Sequence, residues 1–193
     1  MATSKEKYDV GRKAQPKNQI NLNPLRRLFD RDRSIPQKHV EPYVTKGQVV
    51  ADLGFESGYY TLALAECVGP EGKVYAVDLN EQAVRALEEK ADKRGYHNIE
   101  AHATSAHDLS FIKDELVDFV LANGLLCSMS NNRQLAVNEI KRILKPSGQA
   151  YLSLGFPPPL GFVDRAEWEK ILEGFRVKRR GGFFQKWALV SLG

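Results

Sequence analysis

The sequence predicts an α/β fold: a mostly parallel sheet whose strands alternate with helices, closed by an antiparallel hairpin. Three observations carry that prediction. From Gly47 onward, short apolar runs alternate with stretches of helical periodicity. The first of these strands runs directly into a glycine-bearing turn, DLGFESG, over residues 52–58. The chain closes on FRVKRR and FFQKWALVSL, two strand-like runs joined by Gly181-Gly182, which is a hairpin signal.

Residues 1–22 are polar, basic and aperiodic, and are expected to form a flexible arm. Residues 23–46 read as one or two short helices, with Pro36 placed after Ser34 as at a capped helix start. A single α/β domain is expected over 47–193. Its first strand is VVADL (49–53), followed by a helix over 57–68. KVYAVDL (73–79) is the second strand, and EQAVRALEEKADKRG (81–95) a helix ending on glycine. IEAHATS (99–105) and VDFVLAN (117–123) supply the third and fourth strands. Residues 130–148 carry an apolar stripe at Leu135, Ala136, Ile140 and Ile143, then a Pro-Ser-Gly stop. QAYLSLGF (149–156) is the fifth strand. A Pro157-Pro158-Pro159 loop and a short helix around RAEWEKILEGF lead to the hairpin.

At 193 residues the chain is long enough to bury a core, and no apolar run approaches the roughly 20 residues of a membrane span. The N-terminus lacks the apolar segment of a secretory signal. Two cysteines, Cys67 and Cys127, are too few for a disulfide framework, and a cytoplasmic protein is expected. Charge is unevenly spread. Eleven of the 28 Lys and Arg, but five of the 24 Asp and Glu, lie before Val49. That segment is either a solvated basic face or an arm for nucleic acid or another acidic partner.

Open α/β sheets bind ligands beyond the carboxyl ends of their strands. Here those ends carry Asp52-Leu53-Gly54, Asp78-Leu79, Ser105-Ala106 and Asn123-Gly124. Gly54 and Gly58 permit tight turning and close approach of a ligand to the backbone. An acid ending the second strand can accept hydrogen bonds from both hydroxyls of a ribose, although Asp78 would also serve as a helix cap. The turn matches neither G-x-G-x-x-G nor G-x-x-x-x-G-K-[ST], which argues against a pyrophosphate seated on it.

The stretches VVADLGFESGYYTLALAECVGPEGKVYAVDLN, VDFVLANGLLCSM and AVNEIKRILKPSGQAYLSL together resemble a class I S-adenosylmethionine-dependent methyltransferase of the small ubiquinone/menaquinone-biosynthesis-like branch. The resemblance implies a three-layer, Rossmann-like sheet of seven strands, the last antiparallel between its neighbours. It implies S-adenosyl-L-methionine as cofactor and S-adenosyl-L-homocysteine as product. By the same resemblance, Asp52, Gly54, Phe55, Glu56, Gly58 and Tyr59 form the turn around the methionine part. Asp78 matches the ribose acid, and Leu79 packs on the adenine. Ser105 and Ala106 fall beside the adenine amino group and ring, and Asn123 near the methionine end. Glu56 stands where the family has a glycine, Ser105 where it often has Asp, and Cys127-Ser128 where His-His is frequent.

Displacement at a sulfonium needs positioning more than acid–base help, and no catalytic constellation is evident. His97, His102 and His107 recur without metal-ligand spacing on one strand face, and only His107 lies on the ligand side as a candidate base. Cys127 reads as a small buried hydrophobe or, alternatively, a thiol near the acceptor. Of Tyr59 and Tyr60, one is expected inside and the other in the pocket. By the same resemblance the 23–46 helices are a candidate lid over the cofactor, which would turn Arg26, Arg27, Arg31 and Arg33 toward an anionic acceptor; a solvated helix face explains them equally well. A compact small-molecule acceptor is the leading expectation. RNA or protein methylation through the basic arm, and a non-catalytic cofactor-binding role, are the alternatives.

Overall fold

A computed structural model describes residues 40–129, 131–154, 163–182 and 186–193. The expected arm (1–22), most of the 23–46 segment with its four arginines, the proline loop and the start of the last expected strand lie outside these residues. The seven strands are β1 (Val49–Leu53), β2 (Lys73–Asp78), β3 (Ile99–Ala103), β4 (Val117–Asn123), β5 (Leu144–Ser153), β6 (Phe175–Gly181) and β7 (Trp187–Leu192). Their order across the sheet is β3-β2-β1-β4-β5-β7-β6. The first five run parallel, and β7 is antiparallel to both β5 and β6. The closing hairpin therefore inserts its second strand into the sheet and leaves its first at the edge. Strand order reverses between β1 and β4, which opens a crevice at their carboxyl ends.

Helices α1 (Tyr59–Val68) and α2 (Glu81–Arg94) cover one face, and α4 (Arg133–Ile143) and α5 (Arg165–Leu172) the other; α3 (Leu125–Ser128) is a single turn after β4. Alternation along the strands divides the core. Ala51, Leu53, Val120, Ala122, Ala150 and Leu152 pack with Val137, Ile140 and Trp168. Val50, Phe119, Leu121 and Leu189 pack with Leu64 and Val68. Strands buried on both faces need near-continuous apolar sequence, which is why VVADL and VDFVLAN stand out. Asn80 caps α2, its side chain accepting from the N–H groups of Gln82 and Ala83, and Gly95 ends the helix at φ 69°.

Three local differences from the sequence expectation have physical causes. The third strand stops at Ala103, two residues early. The four-residue α3 is too short to show a period. The KPSG stretch, expected to stop a helix ahead of the fifth strand, is instead a bulge within strand pairing. Leu144 already pairs with Val117, and pairing resumes only at Phe119 with Gln149. Gly148 lets this loop close, since a Cβ there would stand 2.9 Å from the Val117 carbonyl oxygen. Asp118 fastens the same corner, accepting from the Val49 N–H at 2.9 Å and pairing with Lys145 at 2.7 Å. Among the described residues no helix is long and apolar enough to cross a membrane. Val40 and Val44, flanking a single 3-10 turn (Glu41–Tyr43), pack into the α1 side of the core.

Candidate functional site

The turn after β1 is held by its backbone. The N–H groups of Gly54 and Phe55 both donate to the Val77 carbonyl, at 2.7 and 3.4 Å. Gly54, Glu56 and Gly58 all take left-handed φ, at 76°, 50° and 74°. The family's glycine at the middle position thus answers a conformational demand that Glu56 meets at a cost. Gly58 also leaves room for Leu87, whose Cδ1 would lie 2.6 Å from an added Cβ. Leu125 of α3 closes over Gly54, 3.0 Å from the equivalent position.

Asp78 organises this turn. One carboxylate oxygen accepts from the Glu56 N–H at 2.9 Å, the other from the Asn80 N–H at 2.9 Å. The cap of α2 is therefore Asn80, and Asp78 is left at the mouth of the crevice. Next to it Leu79 is 74% exposed, a large apolar side chain left open to solvent. Asp52 lies at the base of the turn, buried, and accepts a 2.6 Å hydrogen bond from Thr61 Oγ1. Burial pushes its carboxyl up to about 7; the Thr61 hydrogen bond opposes this, and the charges of Asp78 and Glu56 add to it. Six of the expected residues, Asp52, Gly54, Phe55, Glu56, Gly58 and Asp78, are thus joined through one short turn and its hydrogen bonds.

Ser105 and Ala106 follow β3. Ala106 is buried, and Ser105 Oγ lies 2.6 Å from His107 Nδ1, so His107 is engaged with its neighbour. His102 stacks on Phe111 and bonds Glu100, which also pairs with Lys73. Among the described residues no cluster of metal-ligating side chains is found. Cys127 is buried, its thiol donating to the Gly124 carbonyl, as the small-hydrophobe reading expects.

Asn123, ending β4, has its Oδ1 bonded by Ser153 Oγ at 2.5 Å and stands on the rim of a recess of about 310 Å³. Val40, Tyr43, Tyr60, Phe119, Leu121 and Tyr151 form its walls. Tyr43 stacks flat on Phe119, with centroids 5.7 Å apart. Tyr60 is the tyrosine of the pair that lines this space, while Tyr59 meets it edge-on. Burial and the neighbouring Tyr43 and Tyr60 raise the Tyr151 phenol above its ordinary range, so it stays protonated at neutral pH. The recess walls were not legible as a group, because they come from four separate elements.

A second unforeseen residue is Arg133. Its buried guanidinium donates from Nε to the Leu126 carbonyl at 2.6 Å and pairs with Glu167, fixing α3 against α5. A cation in the first turn of α4 opposes the helix dipole, and that was the only signal in the sequence.

A mostly parallel sheet with β7 inserted antiparallel, a glycine turn at the reversal of strand order and an acid ending β2 together define a nucleoside-cofactor-binding α/β protein. Residues 50–148 match the methyltransferase domain family, and the chain belongs to it, among the class I S-adenosylmethionine-dependent methyltransferases. S-adenosylmethionine is the cofactor of this class. The chain is 35% identical over 105 residues to a demethylmenaquinone methyltransferase of Geobacillus stearothermophilus, covering 54% of this chain and 44% of that protein. It is likewise 35% identical over 107 residues to a ubiquinone/menaquinone biosynthesis C-methyltransferase of Hydrogenovibrio crunogenus, covering 55% and 41%. The chain thus spans less than half the length of these two relatives. A SAM-dependent methyltransferase structure from Aquifex aeolicus superposes with a TM-score of 0.71 at 26% identity, covering 89% of this chain and all of that one.

Proposed function

We propose that the protein transfers the methyl group of S-adenosylmethionine to a small, flat, largely apolar acceptor held in the aromatic recess. The observation that carries this reading is the position of the recess. Asn123 stands on its rim, at the carboxyl end of β4, and α3 directly after Asn123 packs Leu125 onto the cofactor turn. The names of the quinone-pathway relatives agree with a ring-shaped acceptor. Among the described residues no charged side chain lines the recess, which disfavours a strongly ionic acceptor there.

The residues present fit the cofactor. Left-handed Gly54 and Gly58 bring bare backbone to the crevice, where Asp52, Phe55, Glu56 and Tyr59 would surround the methionine part. Asp78 would accept from the ribose hydroxyls, exposed Leu79 would cover one adenine face, and Ser105 and Ala106 would meet its amino edge. The bound cofactor supplies a methyl group on a sulfonium, a reactive centre that needs no metal. Asn123, steadied by Ser153, orients the acceptor side, and the tyrosine and phenylalanine walls exclude water and fix the ring's approach. The protonated Tyr151 phenol can donate a hydrogen bond to an acceptor oxygen but cannot act as a base at neutral pH.

Calorimetry with S-adenosylmethionine and S-adenosylhomocysteine, followed by transfer of labelled methyl to a panel of hydroquinones and other ring acceptors, tests this. Tyr60→Ala and Tyr151→Ala should raise the acceptor KM while leaving cofactor affinity within about threefold. Absence of binding to both cofactor forms would leave a non-catalytic scaffold. Transfer to larger polymers with none to small rings would move the acceptor out of the recess.

A further inference from the structure

The recess has a polarity as well as a shape. Asn123 of β4 and Tyr151 of β5 bring polar atoms to it from one face of the sheet. Asn123 sits opposite Ser153 and Leu121 opposite Tyr151, so Tyr151 and Ser153, two residues apart, share that face. Trp187 stacks on the Tyr151 ring, with centroids 5.8 Å apart and planes 13° apart. Tyr43 also meets this ring, tilted, at 6.2 Å. These neighbours restrict its rotation.

Ser153 decides which end of the Asn123 amide faces the recess. Its side chain is fully buried, and Oγ donates to Asn123 Oδ1 at 2.5 Å. Among the described residues the Ser153 hydroxyl makes no other hydrogen bond. With the amide turned over, Oγ would accept from Nδ2, and a buried hydroxyl proton would be left without a partner. Oδ1 is therefore engaged and Nδ2 is the end presented. The Ser153 carbonyl also accepts from the Gly124 N–H at 3.0 Å, which holds the end of β4 in place for this contact. Among the described residues Asn123 Nδ2 and the Tyr151 hydroxyl make no hydrogen bond, and neither atom is sealed from solvent. A phenol hydroxyl can give or take a hydrogen bond, whereas an amide nitrogen can only give one. The polarity of the recess thus rests on Asn123, and through it on Ser153.

We propose, given the recess as the acceptor site, that Ser153 is a positioning residue that makes Asn123 a fixed hydrogen-bond donor, and so selects rings presenting a bare oxygen over rings presenting an N–H. The acceptor's oxygen is then held at the carboxyl end of β4, from which α3 leads onto the cofactor turn. A ring N–H placed there faces another N–H, and its lost bond to water is not replaced.

The test uses the full chain, with S-adenosylhomocysteine present, and three flat bicyclic probes. Coumarin offers only oxygen acceptors, indole offers an N–H donor, and naphthalene offers neither. Dissociation constants come from equilibrium dialysis, each referred to the ring's own water–octanol partition so that desolvation cancels. The wild type should favour coumarin over indole by about tenfold. Ser153→Ala frees the amide to turn, so coumarin should weaken and indole strengthen. The preference should then fall to within about twofold, with naphthalene unchanged. Asn123→Asp replaces the donor with a group that only accepts, and should reverse the preference in favour of indole. Thermal melts check that each variant is folded. Equal losses of all three rings in Ser153→Ala would mark a purely structural role and overturn the proposal, as would an undiminished coumarin preference. If Ser153→Ala does not fold, Asn123→Asp decides, and a preference that does not reverse overturns the proposal. Binding of all three rings to the wild type with no advantage to coumarin would overturn the selection and leave the recess as the acceptor site. Failure of every ring to bind would overturn the recess as well.

Discussion

Glu56 and Gly58 occupy the same left-handed region two residues apart, yet only one of them is glycine. Glu56→Gly should stabilise the protein by about 0.5–1 kcal/mol in urea denaturation, the left-handed strain relieved outweighing the added unfolded-state entropy, while Glu56→Gln should change little. Gly58→Ala and Gly95→Ala separate strain from crowding. Both have positive φ, but an added Cβ meets nothing within 4 Å at Gly95 and meets Leu87 at Gly58. Losses of about 1 kcal/mol at Gly95 and at least about 2 at Gly58 are expected. Asp52 makes a prediction in pH. Its carboxyl is pushed up to about 7 from an ordinary 3.8, so the folded state holds a proton that the unfolded chain releases. Between about pH 4 and 7, stability contributed by this group is therefore lost as pH rises, and it is level above about 8. Chemical denaturation of the wild type against Asp52→Asn should show that relative decline. A difference independent of pH would mean that Asp52 ionises normally.

At the scale of the elements, Arg142 joins α4 to the loop that precedes β4. It bonds Glu139 and Asp114 and the carbonyls of Leu109 and Ile112, while Glu139 accepts from the Leu109 N–H. These contacts hold the Glu139 carboxyl below the usual range, the Arg142 hydrogen bond being the largest cause. Arg142→Lys loses the fork that reaches both carbonyls, and should cost about 1–3 kcal/mol by urea melt, more than Arg85→Lys in its exposed pair with Glu81. The elements that the sequence disclosed were those whose two ends carry chemistry. α2 announced itself through Asn80 and Gly95, and β1 and β4 through burial on both faces. The KPSG bulge was misread because proline and glycine mark a turn and a bulge alike, and pairing partners are invisible in one dimension. The turn residues of the site were legible for a related reason: Asp52, Gly54, Gly58 and Asp78 are constrained by local backbone. The recess was not, since Phe119 and Tyr151 look like any core strand residue until Tyr43 and Tyr60 are brought beside them.

For the whole molecule, the crevice couples ligand binding to stability. S-adenosylhomocysteine at one hundred times its Kd should stabilise the wild type by about 2.7 kcal/mol. Asp78→Ala should lose most of that gain and also start less stable, because its carboxylate fastens both Glu56 and Asn80. The sheet order carries a further consequence, for folding. β7 is the neighbour of both β5 and β6, although it follows them in the chain. Until residues 187–192 pair, β6 has no partner, and the β7-facing edge of β5 is open with Ala150 and Leu152 beside it. A partly folded chain in which β7 has not yet docked is thus the one most open to misassociation, and Arg176, Lys178, Arg179 and Arg180 on β6 oppose pairing with a wrong partner in that state.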